Sequence, residues 1–147
     1  MADLTDHTGL TVSDMDAALR LWRDIFGFTL VGGPSRPQDM NFIRAVLGIP
    51  DADVVTAWLV RGERVIELVR YIAPAARGKL QPDVSQTGFV HVAVSVPDLA
   101  AAEAELRAQG AEPSGPSRVI PYGPMKDRAV RMFRHPNGIV LEIFSPA

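Results

Sequence analysis

Phe89-Val90-His91-Val92-Ala93-Val94-Ser95-Val96-Pro97-Asp98 sets four valines against a face that carries one histidine, then runs into an aspartate suited to cap a helix. The same device stands near the N-terminus as His7-Thr8-Gly9-Leu10-Thr11-Val12-Ser13-Asp14. In both, the histidine lies seven positions before the aspartate. A device used twice predicts two copies of one unit, each placing a histidine at the same point.

The chain between them fits that reading. Residues 4–12 alternate as a half-buried strand. Asp14 opens a helix with Met15, Ala18, Leu19, Trp22, Ile25 and Phe26 on one face, and Gly27 closes it. A strand from Phe28 to about Gly32, a loop at 33–37 and a short helix at 39–48 follow. Residues 53–60 and 64–72 form a hairpin around Gly62-Glu63, since glycine first in a two-residue turn suits type II′. Pairing Val60 with Val65 puts Trp58 opposite Glu67 and Thr56 opposite Val69, with Leu59, Ile66 and Leu68 turned to the helix. Residues 73–86 read as a linker.

The order then repeats. Strand 87–96 leads to a helix capped by Asp98, with Leu99, Ala102 and Leu106 inward and Gly110 at its end. A weak strand near 116–120 and the loop Pro121-Tyr122-Gly123-Pro124-Met125 come next. Strands 128–134 and 139–145 are joined by His135-Pro136-Asn137-Gly138, a type I turn signature. In the expected register Val130, Met132, Leu141 and Ile143 face the helix. Ala129, Arg131, Phe133, Val140, Glu142 and Phe144 face away, with Arg131 opposite Glu142. The prediction is an α+β fold, one domain over residues 1–147, made of two βαβββ modules at about 4–72 and 87–147.

Composition sets the outer limits. The chain has 147 residues, 47% hydrophobic and 22% charged, which suits one globular domain able to bury its own core. It contains no cysteine, so disulfides, thiolate nucleophiles and thiolate ligands are excluded together. A formal charge of −2 without any basic run argues against a nucleic-acid partner. No apolar stretch reaches the length of a membrane span and the start resembles no signal peptide, so a cytoplasmic location is expected. Gly-rich phosphate loops, H-E-x-x-H and G-x-S-x-G are missing.

Two histidines, His7 and His91, and two glutamates, Glu67 and Glu142, stand mid-strand on the face opposite the helices. A carboxylate within a sheet is costly, and two near each other repel. One divalent cation relieves both, because imidazole nitrogen and carboxylate oxygen are ordinary ligands of zinc, nickel, cobalt, manganese or iron. His135 lies in a turn and is not expected to be a ligand. Trp58, Phe89, Phe133 and Thr56 are expected as substrate contacts on the same face. Arg131 beside Glu142 would hold an anionic group or only balance that glutamate, and Met125 belongs to a loop expected to close over the site.

These residues resemble the vicinal oxygen chelate superfamily of glyoxalase I, methylmalonyl-CoA epimerase, extradiol dioxygenases, and fosfomycin- and bleomycin-resistance proteins. The resemblance is carried by Asp6 to Asp14, Leu21-Trp22-Arg23-Asp24-Ile25-Phe26-Gly27-Phe28, Val65-Ile66-Glu67-Leu68, His91 to Asp98 and Arg134-His135-Pro136-Asn137-Gly138-Ile139-Val140-Leu141-Glu142. It implies an open, cup-shaped mixed sheet with helices outside, and His7, Glu67, His91 and Glu142 as ligands of one metal. It further implies a small oxygenated substrate, an enolate-like intermediate stabilised by the metal, and Glu67 or Glu142 as base. Thr56 occupies the place where methylmalonyl-CoA epimerase carries a base glutamate, and threonine cannot serve as one. The expected function is thus a metal-dependent lyase or isomerase of the glyoxalase I or epimerase type, working as a homodimer. A metal-free drug-binding protein of the bleomycin-resistance type and a non-haem iron dioxygenase are the alternatives.

Overall fold

A computed structural model describes residues 6–75, 78 and 83–146. Leu4 and Thr5 of the first expected strand, and part of the expected linker, lie outside the described residues. The backbone divides into two compact units, Met1–Gly78 and Lys79–Ala147. Each unit is an α+β module built on βαβββ order, the first with an added short helix and the second with the strand after its helix broken into two short pieces.

In the first unit, β1 (Thr8–Thr11) leads to α1 (Met15–Leu19), which widens into a π-helical stretch at Arg20–Ile25 before Gly27 turns the chain at φ 68°. β2 (Thr29–Ser35), α2 (Met40–Leu47), β3 (Asp53–Arg61) and β4 (Arg64–Ala73) follow. The sheet order is β1-β4-β3-β2, with β1 parallel to β4 and the rest antiparallel. Asp14 caps α1 by accepting a hydrogen bond from the Ala17 amide at 3.0 Å. The short helix expected at 39–48 forms, capped by Asp39 and ended by left-handed Gly48.

The Gly62 turn sets the register of β3 and β4. Gly62 takes φ 59° and pairs Val60 with Val65, which places Trp58 opposite Glu67 and Thr56 opposite Val69 as the sequence predicts. Ala57, Leu59, Ile66 and Leu68 then form the buried side of the sheet, with Leu21, Trp22 and Phe26 also buried. Each large side chain removed from water in this way contributes roughly 1.5–3 kcal/mol before entropy is subtracted.

At the head of β3, Asp53 accepts two hydrogen bonds from the Arg36 guanidinium, at 2.7 and 2.9 Å. These hold the Asp53 carboxyl below its usual range. A lowered folded-state value means the pair stabilises above the unfolded carboxylate value of about 3.9 and ceases to do so as pH falls through the folded value. Asp53→Asn is therefore expected to lower the melting temperature slightly at pH 7 and not at pH 2, read by circular dichroism. An equal loss at both pH values would show that the charge plays no part.

The second unit runs β5 (Val92–Ser95), α3 (Leu99–Ala108), β6 (Glu112–Pro113), β7 (Arg118–Val119), β8 (Ala129–Arg134) and β9 (Val140–Phe144). Its order is β5-β9-β8-β6, with β7 also on β8 and β5 parallel to β9. Asp98 caps α3 through the Ala101 amide at 3.0 Å. The two units match bond for bond: the Val12 amide donates to the Val69 carbonyl, and the Val96 amide to the Phe144 carbonyl, both at 2.9 Å.

The last hairpin departs from expectation by one residue. The Gly138 amide donates to the His135 carbonyl, the His135 amide donates to the Ile139 carbonyl, and Gly138 takes φ 85°. This is a type I turn with a following left-handed glycine, a three-residue loop. It pairs Arg134 with Val140 and Met132 with Glu142. A slip of one position turns every side chain of a strand to the other face. Arg131 and Phe133 therefore face α3, and Met132 shares the face of Glu142. Among the described residues no helix is long and apolar enough to cross a membrane.

Candidate functional site

Each unit brings one histidine to one glutamate. His7 stands just before β1, and two residues later Gly9 lies in parallel register with Glu67. His91 stands just before β5, and two residues later Ala93 lies in register with Glu142. A Cβ at Gly9 would be 3.9 Å from Glu67 Oε2, an ordinary contact. Small residues at these two places leave room for the carboxylate to lean back toward the imidazole.

The resulting geometry is the same twice. His7 Nε2 is 3.3 Å from Glu67 Oε2, and His91 Nε2 is 3.3 Å from Glu142 Oε2. Asp6 Oδ1 lies 2.8 Å from His7 Nδ1, so in the tautomer with its proton on Nδ1 that proton would be held there and the Nε2 lone pair would face Glu67. A lone pair and a carboxylate oxygen repel unless a proton or a cation lies between them. Ligand bonds of about 2.0–2.2 Å at tetrahedral to right angles separate two donors by roughly 3.0–3.4 Å. The donor types and their spacing thus fit a divalent cation. Among the described residues no group of three or more His, Asp or Glu side chains is placed to hold a metal ion; each unit presents its pair.

The other expected site residues divide. Trp58, cross-strand from Glu67, meets the His7 ring edge to face with centroids 5.0 Å apart. Thr56 is half-buried in the next row of that ladder. Phe89 lies 5.9 Å from the His91 ring, and Met125 is half-buried with its sulfur 3.5 Å from an Arg128 Nη. Phe133 is fully buried in the core. Arg131 bonds Glu103 on α3 at 2.6 Å and the Gly115 carbonyl at 2.9 Å. The expectation that Arg131 and Phe133 accompany Glu142 is corrected by the longer turn. Met132, Ser95 and Arg128 belong to that side instead; the glycine of the 135–138 turn was the signal that would have found Met132.

With 17% side-chain exposure on both partners, the Arg131–Glu103 pair is a structural bond. Glu103→Ala leaves a half-buried cation unpaired and is expected to cost about 2 kcal/mol of stability. Metal content should stay unchanged in the same preparation. Lost metal at normal stability would restore Arg131 to the site.

His135, as expected, is no part of either pair. It is buried at 3% exposure, accepts from the Asn137 amide at 3.2 Å and faces Gln109.

A sequence profile described as the Glyoxalase/Bleomycin resistance protein/Dioxygenase superfamily matches residues 4–143. The chain belongs to this superfamily. Among its relatives is a 2-epi-5-epi-valiolone epimerase from Actinomyces sp., 29% identical over 142 residues that cover 95% of this chain and 77% of the epimerase. A glyoxalase family protein from Bacillus cereus has the same fold, with a TM-score of 0.83 at 22% identity, covering 99% of this chain and 95% of that one. The fosfomycin resistance protein FosX from Listeria monocytogenes, solved with Mn(II) and sulfate, gives a TM-score of 0.61 at 13% identity, covering 100% and 95%. This glyoxalase-superfamily chain therefore shares its fold with proteins of varied activity, and the site must choose among them.

Proposed function

We propose that this protein is a metal-dependent isomerase or lyase of the glyoxalase I or epimerase kind, acting on a small oxygenated substrate. The observation that carries the reading is the doubled His–Glu pair, with Nε2 and Oε2 3.3 Å apart in both units. His7 with Glu67, and His91 with Glu142, are the proposed ligands of a divalent cation. The epimerase relative supports proton transfer at carbon as the chemistry. A cation held there would draw electron density from a carbonyl oxygen and so acidify the neighbouring C–H.

The chain's own residues would then do the rest. Glu67 or Glu142 takes the proton at a carboxylate oxygen and returns it, to the same carbon on the other side or to its neighbour. The Trp58 indole holds the His7 ring in place and keeps water from that side. Thr56 supplies a hydroxyl for hydrogen bonding to substrate. A homodimer belongs to the same reading, supported by the exposed apolar residues Val31, Phe42 and Val46.

The test begins with metal analysis after purification with added Mn(II), Co(II), Ni(II) or Zn(II). About one equivalent per chain is expected, with affinity falling below about pH 6, because ligands bind metal only when deprotonated. The loaded protein is then incubated with a panel of hydroxyketones in D2O. Metal-dependent deuterium uptake next to the carbonyl, seen by NMR, is the expected result. Protein that takes up no metal under these conditions, yet binds an aromatic drug regardless of chelator, would overturn it in favour of sequestration. Oxygen consumption with a catechol would overturn it in favour of ring cleavage.

A further inference from the structure

We propose that Arg128 is an anion-binding residue of the second unit and takes a carboxylate or phosphate group carried by the substrate. The proposal rests on the reading above for the identity of the site, and on the following geometry for itself. Arg128 enters β8 from the 121–127 loop. Asp127, in the left-handed region at φ 68°, donates its amide to the Ile120 carbonyl at 2.8 Å and turns the chain just before it.

Neutral groups hold the guanidinium. Nε and one Nη donate to the Ser145 carbonyl at 2.9 and 2.6 Å, and that Nη also donates to Ser95 Oγ at 2.8 Å. The cation sits over the Phe144 ring, 5.0 Å from its centroid. Among the described residues, the other Nη meets only the Met125 thioether, a weak acceptor, at 3.5 Å. Arg36 and Arg131 each have a carboxylate partner, but among the described residues none lies within salt-bridge distance of Arg128. Among the described residues, a half-buried, fixed positive charge thus keeps one fork edge without an anion.

Its position relates it to the His91–Glu142 pair. Ser95 and Phe144 are in register, two residues along from the registered Ala93 and Glu142 and on the same faces. Two strand residues span about 7 Å. That is the length of a small molecule whose carbonyl or hydroxyl oxygens lie at one end and whose acidic group lies at the other. Three bonds and a ring already fix the guanidinium, so binding costs little side-chain entropy. In the first unit the corresponding position is Val54, two residues before the partner of Val69, and it is buried and neutral. A cation at this position gives the His91–Glu142 pair a charged neighbour at one end, and a substrate with one acidic end would approach that pair one way round.

The test uses the full chain stripped of metal, so that it stands apart from cation binding. Protein with 15N-labelled arginine is titrated with inorganic phosphate and separately with acetate, at constant ionic strength. The Arg128 side-chain resonance is assigned from its loss in Arg128→Lys. A saturable shift of that resonance is expected, and the anion that binds tighter names the acidic group. Arg128→Met is expected to weaken the preferred anion about tenfold or more, with Arg128→Lys between it and the native protein. If Arg128→Met fails to fold, the direct shift in the native chain still decides. No saturable shift with either anion overturns the proposal. Mn(II) binding by the same protein, followed by calorimetry, shows separately whether the metal reading stands.

Discussion

His91→Ala is expected to lose its metal while keeping its fold. The imidazole is 42% exposed at the start of a strand, so its removal leaves no core cavity. It does remove one donor from a pair set 3.3 Å apart. Loss of mere outer-shell partners costs about 10–100-fold in metal affinity, and loss of a ligand itself should cost more. Deuterium uptake should vanish with the metal. His135→Ala supplies the opposite result: a buried imidazole is removed, stability falls by about 1–2 kcal/mol, and metal content is unchanged. Metal analysis and thermal melts on the two proteins check both. If His91→Ala retains native affinity, the ligand assignment is wrong.

Gly33→Ala is expected to have the largest effect on stability. Gly33 lies in β2 at φ 77°, and a Cβ built there would come 2.2 Å from the Thr56 carbonyl oxygen and 3.1 Å from Ala57 Cα. Both obstacles are backbone in the middle of β3, so neither can step aside. Left-handed strain and forced overpacking together cost about 3–5 kcal/mol. For a chain of this size that is a fall of roughly 10 °C in melting temperature. Gly48→Ala is the control: φ is 67°, but nothing lies within 4 Å, so only about 1 kcal/mol is at stake. Equal melting temperatures for the two variants would refute the close-approach argument. The same contact brings β2 against Thr56 and Trp58, so Gly33→Ala should also disturb the proposed substrate wall.

How far the sequence carries can be read from the two hairpins. Gly62 has the positive φ that a type II′ turn requires, and counting outward from it yields the correct neighbours for Glu67. His135-Pro136-Asn137-Gly138 is as recognisable, yet the turn type leaves open whether the strands resume at Ile139 or at Val140. The chain resumes at Val140, and one residue moved Arg131 from the site to the core side. The histidines and glutamates escaped this error because their faces follow from β1, β4, β5 and β9. Arg128 was missed through the same slip, because it shares the parity of Val130 and Met132, which the expected register turned to the helix. The π-helical widening at Arg20–Ile25 left no mark either, since its apolar spacing is close to that of an α-helix.

Both histidines immediately precede strands at the margin of their sheets, each only four residues long and, among the described residues, hydrogen-bonded to a single neighbour. Such ribbons peel first when a protein breathes, and their amide protons trade with solvent soonest. The glutamates sit one strand further in, on β4 and β9, with ladders on both sides. A cation gripping either histidine and its glutamate would therefore act as a rivet, and its arrival should be legible as slowed deuteration of Thr8–Thr11 and Val92–Ser95, with the inner strands unmoved.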